Sequence, residues 1–310
     1  MAVKAVKLRF RSPLHVGEQG LGLEEVSTMV HSDTLYGAIY SLWCQVYGPP
    51  EGNLPLRLSS AFPYLEDEYY YPKPNLPVPA LADPDVRSVY GKGVKRTSFV
   101  PENLFLAWIR GADFSLAALE ESQERLKGAI KKLVRPRVSL DRVRLDSAYY
   151  QVGELHFSPD RECGLYFLLE TETDTAWRDL KPVLNLLGEQ GLGGERSLGY
   201  GRFTPTFIED YSCPRVEGGQ RYLTLSLVYP AGPEETAGSL VYYRLLERGG
   251  WINSPGGGGN FRTLRVNMLA EGSIFSRPLE GKVIDVAPAD FSRRYHPVYR
   301  YGHSFLLRVK

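Results

Sequence analysis

Six of the fourteen residues from Gly188 to Gly201 are glycine. A run this rich in residues without Cβ marks backbone that turns through positive φ or lets another group come close. Before it, Ala176, Trp177, Leu180, Val183, Leu184 and Leu187 recur at helix spacing. After it, Phe203, Pro205 and Phe207 alternate with Arg202, Thr204 and Thr206, as in a strand. The order is helix, glycine loop, strand. A dinucleotide fingerprint needs strand, Gly-x-Gly-x-x-Gly and helix, and here Arg196 stands where the third glycine belongs. The Gly194 to Gly199 spacing fits a Walker loop, but Tyr200 replaces its lysine. Two readings remain. One is a helix C-cap with a flexible connection. The other is a loop whose bare N–H groups meet a phosphate chain. The interleaved Arg196, Ser197, Tyr200 and Arg202 favour the second, as donors and a stacking surface.

Charge supports a polyanion partner only locally. The net charge is +1, which does not describe a strongly basic domain. Yet Val86 to Pro101 holds Arg87, Lys92, Lys95 and Arg96 and no acid. Arg125 to Arg144 holds eight basic residues against Asp141 alone. Phe291 to Lys310 holds five basic residues and no acid. Segregation of this kind suits a protein that keeps a polyanion on one face. Three scattered cysteines, Cys44, Cys163 and Cys213, point to neither a disulfide framework nor a zinc site. No metal or other cofactor is expected. No apolar run approaches the ~20 residues of a membrane helix, and the first residues lack a signal-peptide pattern. A cytoplasmic protein is expected.

The pattern along the chain predicts an α+β fold. Lys4 to Arg11 alternates as a half-buried strand, and a helix opens at His31-Ser32-Asp33-Thr34 with Ser32, Asp33 or Thr34 as its cap. Tyr71 to Pro84 carries five prolines and reads as loop. Ser115 to Leu133 reads as helix. Ala148 to Phe157 and Cys163 to Glu170 read as a β-hairpin about Ser158-Pro159-Asp160-Arg161. The first part is therefore β-α-(insertion)-β-β-α-β, the ferredoxin-like or RNA-recognition-type order. It spans residues 1–212, with an insertion from about 48 to 143 and the glycine loop at 188–201. A smaller β-rich unit of related type, 213–310, follows. In it Tyr222 to Tyr229 reads as strand and Gly238 to Arg248 as a short helix, with strands at Thr263 to Met268, Lys282 to Val286 and Ser304 to Val309. A loop cuts it at Pro255-Gly256-Gly257-Gly258-Gly259.

Four stretches resemble a known family. They are His31-Ser32-Asp33-Thr34-Leu35-Tyr36-Gly37-Ala38, the glycine loop from Gly191 to Phe203, Glu271-Gly272-Ser273-Ile274-Phe275, and His296-Pro297-Val298-Tyr299-Arg300-Tyr301-Gly302. The chain resembles the RAMP proteins of CRISPR systems. Within them it is similar to the Cas5-like group, and to the fourth Csm-type subunits of type III-A effectors. The basic run Lys92 to Pro101 is similar to the one in that family's protruding thumb.

The resemblance implies two RNA-recognition-like domains and no catalysis of the chain's own. It implies binding of the repeat-derived 5′ handle of crRNA. Docking against the large polymerase-like subunit, and contact with the backbone RAMP subunit of the same complex, are implied too. The residues expected to meet RNA are His31 and Ser32, then Lys92, Lys95 and Arg96, then Gly191, Gly193, Gly194, Arg196, Ser197, Gly199 and Tyr200. Arg262, Arg294, Tyr299 and Arg300 complete the set. A single-stranded handle needs backbone donors, cations and a few aromatic faces. The alternative is a metal-independent RAMP endoribonuclease, for which His31 is the candidate base. Against it, capping or RNA contact suits His31, and capping suits Asp33 at a helix start. A pure interaction subunit without RNA is a third reading.

Overall fold

A computed structural model describes residues 2–17, 22–78, 81, 83–141, 146–252 and 261–310. The Pro255–Gly259 loop of the sequence reading lies outside the described residues. In chain order the elements of the first two-thirds are β1 (Lys4–Phe10), α1 (Ser32–Tyr47), β2 (Leu56–Leu58), β3 (Phe62–Leu65), β4 (Glu68–Pro72), α2 (Pro84–Arg96) and β5 (Phe99–Pro101). Then come α3 (Glu102–Ile109), α4 (Leu116–Ala129), β6 (Ile130–Asp141), β7 (Asp146–Phe157), β8 (Cys163–Thr171), α5 (Asp174–Gln190) and β9 (Phe203–Ile208).

The main sheet is antiparallel, ordered β5-β4-β3-β8-β1-β9, with β2 also on β8. Its centre follows from composition. Cys163 to Leu169 is apolar without interruption, and all of it is buried, as a strand covered on both faces requires. Val6 faces Phe167 and Leu8 faces Leu165 in register. The apolar stripes of α1 (Leu35, Tyr36, Ile39, Leu42) and α5 (Trp177, Leu180, Val183, Leu184, Leu187) join this core.

Three expectations are corrected here. The stretch 148–157 does not pair with 163–170; β7 pairs back onto β6, from Ile130↔Phe157 to Asp141↔Asp146. Both edges of β8 are already taken, one by β1 and the other by β2 and β3. Helix α4 stops at Ala129 rather than Leu133, because Ile130, Val134, Pro136 and Val138 favour an extended chain. The segment 48–143 is not wholly inserted: alternating Leu54, Leu56 and Leu58 and the run Phe62–Leu65 bring β2 and β3 into the main sheet.

The remaining third holds β10 (Arg221–Thr224), α6 (Pro233–Thr236), β11 (Leu240–Tyr242), β12 (Leu245–Arg248), β13 (Val266–Leu269) and β14 (Ile274–Phe275). It ends with β15 (Ile284–Asp285), α7 (Ala289–Ser292), β16 (Tyr299–Arg300) and β17 (Leu306–Val309). The stretch 238–248, expected as helix, is two strands. Leu240, Val241, Tyr242 and Tyr243 prefer a pleated surface, and Gly238 turns at φ 70°. Four strands form a sheet ordered β11-β14-β10-β17, flanked by the pairs β12-β13 and β15-β16. The two parts meet through α1 and the β2–β3 connection. Tyr301 stacks on Tyr36 at 4.8 Å and its hydroxyl accepts from the Leu58 amide at 3.0 Å. The Ser60 amide donates to the Leu225 carbonyl at 2.9 Å.

Candidate nucleic-acid interface

The glycine loop lies where its order requires, after α5 and before β9. Gly191, Gly193, Gly199 and Gly201 all have positive φ, between 71° and 90°. A Cβ on Gly193 would lie 2.3 Å from the His15 carbonyl oxygen, and one on Gly201 would lie 1.9 Å from that of Leu192. The amides are used in the same way. Gly194 donates to the His15 carbonyl at 2.9 Å, Gly201 to Pro13 at 2.8 Å and Gly191 to Leu187 at 2.8 Å. Gly191, Gly193 and Gly194 therefore let the loop pack on its own chain, and the amides of Gly191 and Gly194 are engaged within it. Gly199 alone among the loop's positive-φ glycines has open space at its Cβ position. Beside it the side chains of Arg196 and Ser197 are exposed on a single 3-10 turn.

Tyr200 is no stacking face. It is buried; its hydroxyl donates to Glu154 and accepts from Arg137, whose guanidinium lies 5.2 Å over the ring. Glu154 sits fully buried on β7 and also receives Arg135 at 3.2 Å and His156 at 2.6 Å. Burial pushes its carboxyl up, but Tyr200, His156 and Arg135 hold it below the usual carboxylate range. This cluster fastens the base of the β6–β7 ribbon to the glycine loop.

His31, Ser32 and Arg300 are also buried and engaged. His31 Nδ1 is 2.8 Å from Glu271, whose carboxylate also accepts from Ser60. The Ser32 hydroxyl accepts from the Leu227 amide at 3.0 Å. Arg300 donates to Asp33. Asp33 is not a cap, as the sequence suggested; His31 holds the cap position, without a side-chain cap bond. Asp33 instead takes Arg248 through two 2.9 Å bonds. Burial pushes the Asp33 carboxyl up, and Arg248 and Arg300 outweigh it, holding the group well below its ordinary range. These motif residues join the two parts of the chain.

The exposed candidates lie elsewhere. Lys92, Lys95 and Arg96 project from α2 and make no ion pair among the described residues. They sit on a helix. Asp83 caps it through the Asp85 amide at 2.9 Å, and Pro84 opens it. Arg294 is exposed, Arg262 stacks 4.4 Å over the exposed Trp251 ring, and Tyr299 is half-buried, edge-on to Tyr40 at 5.4 Å. Sequence reading missed the β6–β7 ribbon, which exposes Lys131, Lys132 and Arg135 with Val138, Leu140 and Tyr149. Its signal was a long β-branched, basic run placed immediately after a helix.

The RAMP superfamily model matches residues 7–204, and the CRISPR Csm4 C-terminal domain model matches residues 217–309. The chain belongs to the Csm4 family of the RAMP superfamily. It is 30% identical to the CRISPR system Cms protein Csm4 of Thermococcus onnurineus (strain NA1), over 90% of this chain and 91% of the relative. Identity to the Csm4 of Mycobacterium tuberculosis (strain ATCC 25618 / H37Rv) is 29%, over 95% and 94%. A chain of a Csm1–Csm4 cassette solved with cA4 shares the fold at TM-score 0.68 and 23% identity, covering 100% of this chain and 98% of that one. A chain of a Csm3–Csm4 subcomplex of the type III-A interference complex does so at TM-score 0.66 and 19% identity, with both chains covered completely. No helix among the described residues is long and apolar enough to cross a membrane.

Proposed function

We propose that this chain is the non-catalytic RNA-binding subunit of a type III-A CRISPR ribonucleoprotein. It holds the repeat-derived 5′ handle of crRNA and docks the large polymerase-like subunit, with the backbone RAMP subunit as its other neighbour. Membership of the Csm4 family supports the assembly role, as do fold relatives solved with Csm1 and with Csm3. The observation that carries RNA binding is a set of cations held out to solvent with no acid paired to them among the described residues. These are Lys92, Lys95 and Arg96 on α2, Arg196 on the glycine loop, and Lys131 and Lys132 on the ribbon. Unpaired cations on an otherwise near-neutral chain are what a phosphate backbone neutralises.

Both sheets support reading the chain as two ferredoxin-like units, 1–212 and 213–310. Taking β1, β3, β8 and β9 as strands one to four gives the spatial order 2-3-1-4, and β10, β11, β14 and β17 give the same order. In the second unit the crossover helices shrink to single turns, α6 and α7. The non-catalytic reading is supported by His31, the sequence's candidate base, which is buried against Glu271 and out of reach of a ribose hydroxyl. The test is photocrosslinking of the complex assembled on crRNA carrying 4-thiouridine in its handle. Handle crosslinks to α2 and the Arg196 turn are expected. An intact RNA-loaded complex whose handle crosslinks only to other subunits overturns the proposal.

A further inference from the structure

A groove of about 600 Å³ runs between the Lys73–Val78 segment, the C-terminal end of α2 and the edge strand β11. Its lining combines Lys73, Asn75, Lys95 and Trp108 with Tyr242 and Tyr243. Three features of it are unused by the fold. Tyr242 and Tyr243 expose 41% and 52% of their surface although they flank a concave site. The Asn75 Nδ2 group is buried and has no hydrogen-bond partner, a loss that folded chains rarely leave uncompensated. Lys95 is exposed and makes no ion pair among the described residues. Lys73 is fixed by the last turn of α2, donating to the Val94 and Lys95 carbonyls at 3.1 and 3.2 Å. Burial and the nearby Arg244 charge push its ammonium down, and the exposed Lys95 ammonium stands on the same wall.

We infer that this groove is a nucleotide subsite. One unstacked RNA base lies against Tyr242 or Tyr243, a carbonyl or ring nitrogen of the base accepts from Asn75 Nδ2, and the attached phosphate lies toward Lys95 and Arg244. Exposed aromatic rings, an orphaned amide donor and unneutralised cations are together the chemistry that reads a splayed-out base. An apolar segment of a protein partner would leave the cations unused. This inference rests on the RNA-binding reading above and adds where one base is held.

The test is RNA carrying a single 4-thiouridine, moved one position at a time along the 5′ region, loaded into the complex with the full chain. Irradiation and mass spectrometry then locate the adducts. One position is expected to crosslink to the Tyr242–Tyr243 peptide. Asn75→Ala and Tyr242→Ala are each expected to weaken that adduct, and to weaken RNA affinity about tenfold. Asn75→Ala should not lower Tm, because it removes an unsatisfied donor. If RNA binds and crosslinks on α2 but never in the groove, the subsite is overturned while the RNA-binding reading stands. If the full chain contributes no RNA contact at all, both fall. Unchanged RNA affinity with loss of a partner subunit in the Tyr242→Ala complex would assign the groove to protein docking and overturn the inference.

Discussion

Asp33 and Arg248, 215 residues apart in sequence, meet through two hydrogen bonds of 2.9 Å in an environment almost closed to water. Arg300 reaches the same carboxylate from β16. The pair ties the start of α1 to the C-terminal part of the chain. Removing one member of a buried pair leaves an uncompensated charge and costs about 3–5 kcal/mol. Asp33→Ala is therefore expected to lower the urea midpoint and Tm strongly, with the two parts loosening first. The folded carboxyl is held below its unfolded value. Its contribution is thus complete above the unfolded pKa of about 3.9 and is lost as pH falls through the lower folded value. Between pH 5 and 8 the wild-type Tm should not respond to this group. A Tm of Asp33→Ala equal to wild type at pH 7 would refute the clasp.

Two glycines of the loop separate packing from exposure. Gly193 and Gly199 have nearly equal φ, 88° and 83°. A Cβ at Gly193 meets the His15 carbonyl oxygen at 2.3 Å, whereas one at Gly199 meets nothing within 4 Å. Gly199→Ala should cost only the left-handed backbone penalty, about 1–2 kcal/mol. Gly193→Ala must add displacement of the His15 backbone carbonyl, and is expected to cost clearly more in thermal melts. Any loss of RNA binding in a Gly193 variant is then a folding effect, so the loop's ligand role is tested at Arg196 and Ser197. Equal melting of the two alanine variants would count against the packing account.

The latch between Tyr200 and Glu154 predicts a local rather than global effect. Tyr200→Phe keeps the ring under Arg137 but withdraws a hydroxyl from a fully buried carboxylate. Such a loss costs about 1–3 kcal/mol. The β6–β7 ribbon is expected to become more open to proteolysis and amide exchange near Val152–Leu155, while α1 and α5 keep their protection. Glu154 has a lowered folded pKa, so wild-type ribbon protection should persist above about pH 4.3 and fade as pH drops below it. Uniform protection in the variant would exclude the latch.

The elements that sequence made legible carry their own burial pattern. Helix α5 shows Trp177, Leu180, Val183, Leu184 and Leu187 on one stripe, and β8 is apolar and buried from Cys163 to Leu169. What stayed hidden depends on distant partners. Nothing local says that β7 must turn back to β6; that follows from β1, β2 and β3 having filled the edges of β8. Helix α2 was concealed by prolines around it, although Asp83-Pro84 is a helix start in plain view. The motif at His31-Ser32 was visible, but its intramolecular contacts were not. Glu271 and Leu227 supply its partners from more than 190 residues away. The same patterns that hid those contacts left the exposed cations of α2 readable, because an unpaired surface charge needs no distant partner to define it.

If His31 serves structure rather than cleavage, His31→Ala strips the buried Glu271 carboxylate of its 2.8 Å side-chain partner. The variant is expected to lose stability by about 3 kcal/mol. Complexes that still assemble with it should cut crRNA precursors and targets at wild-type sites and rates. Normal assembly with a lost cut would return the ribonuclease alternative.

The cations of α2 give the sharpest test of RNA binding. Lys92, Lys95 and Arg96 are exposed and form no ion pair among the described residues, so replacing all three with alanine should leave the unfolding free energy within about 0.5 kcal/mol of wild type. Each phosphate they neutralise on single-stranded RNA adds about 0.7 to the slope of log K against log[salt]. Losing three contacts should flatten that slope by about two, with the largest affinity loss at low salt. Contacts made by only two of the three would flatten it by about 1.4, and the single variants would identify which. The measurement is RNA binding by the assembled complex between 50 and 400 mM salt. An unchanged slope, with wild-type assembly, would mean that α2 is a solvated helix and that the handle runs elsewhere on the chain.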